Sequence, residues 1–247
     1  DEDFKLVWKK TNLKIRTKFP EYSIENMILG NDNTIYLYYE TYLKEKRMIV
    51  QFESSMISIN DEGIEKEVVK FENFMPAQSK VIQNGNNIML IGYYLVSGKE
   101  GLQGVYSALF NIKDKTFSNI NQSKFQQSLI NEANFNTEPK GKKPQTISNL
   151  AIKNIFPQSD GSFLVFSEDA EITIYTTYDS RGGSRTDYMY DNYCIFYSRV
   201  NKDGEIEWTK IIPKKQFSKN TSGSVNSFAA YQGENAVYLF YNDHEKN

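Results

Sequence analysis

The chain holds one histidine, one cysteine and six prolines in 247 residues. With His244 alone, a His-based metal cluster or a Ser-His-Asp triad inside this chain is all but excluded. His244 reads as a solvated loop residue. The single Cys194 cannot form an intrachain disulfide, and in the run Tyr193-Cys194-Ile195-Phe196 it reads as a small buried hydrophobe. An excess of either charge is also missing. The 29 Lys and Arg against 31 Asp and Glu give a formal charge of −2 and a pI near 5.7. No basic field therefore draws the chain to nucleic acid or anionic lipid. No run approaches the roughly 18–20 apolar residues of a membrane span, so none is expected. No signal peptide is recognisable, and a first residue of Asp points to a processed or trimmed start. Neither a metal nor a cofactor is expected. The nearest approach to a phosphate loop, Asp179-Ser180-Arg181-Gly182-Gly183-Ser184-Arg185, lacks the Gly-Lys-Ser/Thr ending.

What the chain does have is aromatic residues, with 17 Tyr and 16 Phe. These suit strands that need wide, half-buried side chains. Mean hydropathy is −0.58, yet apolar residues cluster in short runs between Asn/Asp/Gly turns, as in a globular all-β chain. The clearest unit is Leu150–Ile212, which reads as strands over Leu150–Phe156, Phe163–Tyr175, Tyr193–Val200 and Glu205–Ile212. Ser159-Asp160-Gly161 turns the first hairpin and Asn201-Lys202-Asp203-Gly204 the last. The polar, Gly-rich stretch Asp179–Asn192 reads as a surface loop between the middle strands.

The first hairpin recurs around Gly30–Thr34, Asn84–Asn87, Ser159–Ser162 and Gly233–Ala236. The second recurs as Ile59-Asn60-Asp61, Ile112-Lys113-Asp114 and Val200-Asn201-Lys202. Such turns need residues that tolerate positive φ. Ile35 and Ile59 stand 24 positions apart, as do Ile88 and Ile112, whereas Phe163 and Val200 are 37 apart. Constant spacing with localised insertions predicts an all-β β-propeller of four-stranded antiparallel blades, favoured over a two-sheet sandwich. The blades are expected near 22–71, 79–120 and 149–212, with a partial blade at 224–247 and an outer strand at Phe4–Lys10. The set is expected to be incomplete here and part of a longer chain. One short helix is expected within Ser123–Asn134.

The run from Val200 to Gln216, with Tyr238–Asn247 and Phe163–Glu168, resembles uncharacterised secreted β-propeller-like proteins of Bacteroidetes-type bacteria. The resemblance is clearest over the C-terminal hundred residues or so. It implies an envelope, periplasmic or extracellular location and a propeller-like body, and it carries over no catalytic residue. Asp203 and Trp208 also keep the Asp-to-aromatic spacing of sialidase Asp-boxes, with Asn201 in place of Ser and Gly204 one position early. That box is a structural turn.

Glu40 and Glu168 fall at the same repeat position. Paired carboxylates serve glycoside hydrolysis when they flank one substrate, but a device that recurs with the repeat points instead to hydrogen bonding with a neighbouring blade. Lys140–Pro144 reads as a solvated linker. In a meander the longer connections leave from the end opposite the hairpin turns. That end gathers Lys44, Arg47, Tyr178, Arg181, Arg185, Tyr188 and Tyr190, residue types that anchor interfaces. The expectation is a non-catalytic binding or scaffolding module that meets a partner protein or glycan there. The alternative is a carbohydrate-active hydrolase whose site lies partly outside this chain.

Overall fold

The computed structural model describes residues 18–45, 48–134, 146–178, 181–221 and 226–242. The strand expected at Phe4–Lys10, Lys140–Pro144 and His244 lie outside them. The first sheet is β1 (Glu21–Leu29), β2 (Ile35–Glu45), β3 (Met48–Ile59) and β4 (Ile64–Val69). The second is β5 (Met75–Asn84), β6 (Asn87–Leu95), β7 (Gly104–Asn111) and β8 (Thr116–Lys124), followed by the helix α1 (Gln127–Ala133). The third is β9 (Leu150–Pro157), β10 (Phe163–Tyr178), β11 (Ser184–Val200) and β12 (Ile206–Ile212), with β13 (Gln216–Lys219) pairing β11 beyond β12. The fourth is β14 (Ala229–Gln232) and β15 (Val237–Phe240). All pairings are antiparallel and, β13 with β11 apart, between strands consecutive in the chain; none of these sheets closes on itself. Among the described residues no strand passes from one sheet to another, the exchange a sandwich would need.

Turn chemistry explains where the strands stop. Asp32 accepts the backbone N–H of Thr34 at 3.1 Å, and Asp160 accepts that of Ser162 at 3.0 Å, the same side-chain closure in the first and third sheets. The second hairpins are each headed by an asparagine. Asn60 accepts from Gly63 at 2.9 Å, Asn111 from Lys113 at 2.9 Å, and Asn201 from Asp203 at 3.0 Å. This corrects the repeat register in the second sheet. Ile35 opposes Ile59 and Phe163 opposes Val200, but Ile88 opposes Phe110 rather than Ile112. Asn111, not Lys113, is the counterpart of Asn60 and Asn201.

The sheets stack face to face in chain order. On β6, Ile88 and Leu90 point toward the first sheet and pack with Tyr36, Tyr38, Met56 and Phe110. Met89, Ile91 and Tyr93 point the other way and pack with Leu150, Phe163, Val165 and Phe196 of the third sheet. A strand buried on both faces reads as a continuous apolar run, as Ile88–Ile91 does. Each such side chain contributes roughly 1.5–3 kcal/mol of burial. At the next junction Phe166 and Ile195 meet Phe228, with Val237 and Leu239 against them. α1 sits above the second junction, where Phe125 packs beside Tyr93 and Phe196.

Two further features repeat. The first strand of each full sheet carries a bulge at one position, opposite Tyr38–Tyr39, Ile91–Tyr93 and Phe166–Ser167. The hairpin-turn ends also interlock: Asn84 donates to the Lys202 carbonyl at 3.0 Å and Lys115 pairs with Glu65 at 3.4 Å, while Ser107, midway along β7, donates to the Gly204 carbonyl of the third sheet's turn. All the turns therefore share one side of the molecule and the longer connections the other.

The insertion in the third sheet is not a loop. β10 and β11 continue past the sheet as a paired arm from Ala170↔Asn192 to Tyr178↔Ser184. Of the stretch expected as loop, Ser184–Asn192 is strand.

Candidate interaction surface

The arm is built from residues that favour strands whatever their surroundings, Ile172-Thr173-Ile174-Tyr175-Thr176-Thr177-Tyr178 on one side and Tyr188-Met189-Tyr190 on the other. Directly opposite residues share a face. One face pairs Ile172 with Tyr190, Ile174 with Tyr188, Thr176 with Thr186 and Tyr178 with Ser184. It is open: Ile172 is 62% exposed, Ile174 58%, Tyr178 78% and Tyr188 43%. The other face pairs Tyr175 with Asp187 and Thr177 with Arg185. There Asp187 takes Asn220 at 2.8 Å, Lys219 at 2.9 Å and Arg185 at 3.1 Å. The Asn220 hydrogen bond first, then those of Lys219 and Arg185, hold its carboxyl down to about 2. Asn220 also donates its backbone N–H to the Tyr188 carbonyl and accepts the Tyr188 N–H, both at 2.8 Å, which clamps β13 to the arm.

The residues expected at this end are therefore not one surface. Tyr178, Tyr188 and Tyr190 come together on the open face. Arg185 lies on the opposite face in its ion pair, and Arg181 is exposed just before β11. Lys44 belongs to the first sheet, where it pairs with Glu21 at 2.8 Å; that hydrogen bond raises its pKa. Arg47 lies outside the described residues. Ile172 and Ile174, which complete the stripe, were legible as strand but not as surface. Their signal is an alternating Ile-Thr-Ile-Tyr run within an insertion that has no first-strand partner.

The two repeat-related glutamates sit at different junctions, with the second sheet between them. Glu40 accepts from Tyr38 at 2.9 Å and faces Ser79 of the second sheet at 3.5 Å. Glu168 is fully buried, accepts from Ser227 at 2.6 Å and pairs with buried Lys214 at 2.7 Å. Lys214 also donates to Gln216 and to the Asn226 carbonyl, both at 2.8 Å. Burial pushes the Lys214 pKa down, and its hydrogen bond to Glu168 opposes that shift. Asn226 in turn donates to the Tyr190 carbonyl at 3.0 Å, which ties this cluster to the base of the arm. Next to it, burial and then the charges of Glu171 and Glu168 push Asp169 up to about 6. The carboxylates do not flank a shared opening, so the geometry of a glycosidase pair is absent from these two residues.

A groove of about 450 Å³ runs between α1, β8 and β12, with Trp208, Glu132, Glu207 and Lys124 on its walls. Its indole is not a free platform: Lys210 lies 5.2 Å over the ring and Tyr197 packs against it edge-on. Cys194 is buried, with its thiol 3.5 Å from the Ala133 carbonyl, and burial raises its pKa. Among the described residues no group of three or more His, Cys, Asp or Glu could hold a metal ion, and no helix is long and apolar enough to cross a membrane. No family model matches this chain, and no curated protein or solved structure matches it either.

Proposed function

We propose that the chain is a non-catalytic binding or scaffolding module, built on a propeller-like arrangement of its sheets, which meets a partner through the arm on its long-connection side. The open stripe of Ile172, Ile174, Tyr178 and Tyr188 carries this reading. Exposed apolar groups held side by side on a paired hairpin gain free energy when a partner removes them from water, and Tyr adds directed hydrogen bonds. The stripe joins apolar area from Ile172 and Ile174 to the hydroxyls of Tyr178 and Tyr188, the mixture that anchors protein interfaces. The propeller-like part is supported by face-to-face stacking in chain order and by contacts between successive first strands. Asn26 of β1 donates to Val81 of β5 at 3.4 Å, and Gln232 of β14 donates to Pro157 of β9 at 3.0 Å. The resemblance of the Val200–Gln216 run to secreted Bacteroidetes-type proteins supports an extracytoplasmic setting.

The test is to immobilise the chain and compare capture from an envelope fraction and from a glycan array with a Tyr178→Ala, Tyr188→Ala, Ile174→Ser variant. Loss of a protein partner in the variant, with retention in an Asn84→Ala, Lys202→Ala control on the turn side, is the expected result. Capture that survives in the arm variant and fails in the control overturns the assignment.

A further inference from the structure

Sheets expose edges, and unpaired edges recruit strands unless something blocks them. The outermost strands of the first and third sheets are blocked by charge: β4 carries Glu65, Lys66 and Glu67, and β12 carries Glu207 and Lys210. β8 of the second sheet is interrupted instead by a bulge between Ser118 and Asn121, where Asn119 takes a φ of 47°. The outer edge of the arm is not. Among the described residues β9 pairs β10 only from Phe163 to Asp169, and no strand takes the same edge from Glu171 to Tyr178. Seven of those eight residues, Ile172 to Tyr178, carry no charge, proline or bulge, and all seven are β-branched or aromatic. β15 also lacks charge but offers only Val237–Phe240.

We infer that this edge pairs with the same edge of a second copy of the chain, antiparallel, so that two arms form one continuous sheet, four-stranded at its centre and flanked by a β13 at each base. Three observations select a second copy. The edge is self-complementary: about a centre near Tyr175, uncharged residues meet uncharged residues throughout, and the lone Glu171 falls at the far end from its counterpart. A formal charge of −2 sets little repulsion between copies. The arm is also long enough. Eight residues at about 3.3 Å each reach roughly 26 Å past the ends of β9 and β12, the first part flanked by β13, so antiparallel arms place the two bodies at opposite ends of the joint. Parallel pairing would set the bodies side by side. The joint doubles the Ile/Tyr stripe without covering it, so the inference adds to the binding reading and does not depend on it.

The experiment is sedimentation equilibrium of the full chain over a concentration series, with hydrogen exchange of the Glu171–Tyr178 amides at low and high concentration. The comparison is a Thr173→Lys, Tyr175→Lys variant, which leaves Ile172, Ile174 and the β11 tyrosines in place. The expected result is a mass that doubles with concentration, arm amides protected only in the dimer, and dimerisation weakened more than about tenfold by the lysines. A wild-type chain that stays monomeric up to its highest soluble concentration overturns the inference. So does a dimer whose arm amides exchange as freely as the monomer's, an outcome that holds even if the lysine variant fails to fold.

Discussion

The Ser227 hydroxyl donates to Glu168 across the third junction at 2.6 Å, in the position where Ser79 faces Glu40 across the first. A carboxylate within a second strand meeting a serine on or just before the first strand of another sheet thus occurs at two junctions of the repeat. At the third junction it is reinforced by Lys214, and both charges are out of water.

Removing Lys214 leaves the buried Glu168 with only the exposed Lys153, at 3.7 Å, as a cation partner. Lys214→Met alone should therefore cost about 3–5 kcal/mol of stability. Lys214→Met combined with Glu168→Leu should recover most of that loss, because two apolar side chains of similar volume replace both charges. Urea unfolding of the two single variants and the double variant measures the coupling. Additive losses would show that the pair acts as two independent contacts.

Asp169 gives a pH dependence of opposite sign to that of most carboxylates. Its folded pKa, pushed up to about 6 from the ordinary carboxyl value of about 3.8, means the folded state holds a proton that the unfolded state releases. Between those values the folded chain binds more protons than the unfolded one, so its contribution falls as pH rises. Wild type should lose stability from about pH 4 to pH 6 relative to Asp169→Asn, in which the slope disappears. Parallel stability curves for the two proteins across that window would remove Asp169 as the cause.

Gly204 combines a positive φ of 88° with a site where an added Cβ would lie 2.9 Å from the Ser107 hydroxyl. Gly182 has a similar φ of 82° and open space around it. Gly182→Ala should then cost about 1 kcal/mol from backbone strain alone. Gly204→Ala should cost more, because the turn must also back away from the second sheet. Equal thermal shifts for the two variants would mean that the contact with Ser107 contributes nothing.

Much of this architecture was legible in the residues, and the parts that were not have physical causes. Asp32, Asp160, Asn60 and Asn201 announce their turns because a short side chain must close them. Asn111 was overlooked because Ile112-Lys113-Asp114 copies the look of Ile59-Asn60-Asp61 two positions downstream, and only the pairing of Ile88 with Phe110 decides between them. The β10 side of the arm is legible as strand as far as Tyr175, but Gly182, Gly183 and the polar residues around them give Asp179–Asn192 the look of a loop and mask the strand propensity of Tyr188–Tyr190. The serine partners of Glu40 and Glu168 come from other sheets, a kind of contact that no spacing within one chain segment announces.

The second sheet belongs to two cores at once, since Ile88 and Leu90 serve one junction while Met89 and Ile91 serve the next. The third sheet does the same with Phe163 and Val165 on one side and Phe166 and Ile195 on the other, so the central strands of these two sheets should be the last to exchange. The first and fourth sheets each lean on one neighbour within the described stack. Variation is therefore cheapest at the ends of the row and dearest in its middle, whatever the surface of the molecule is used for.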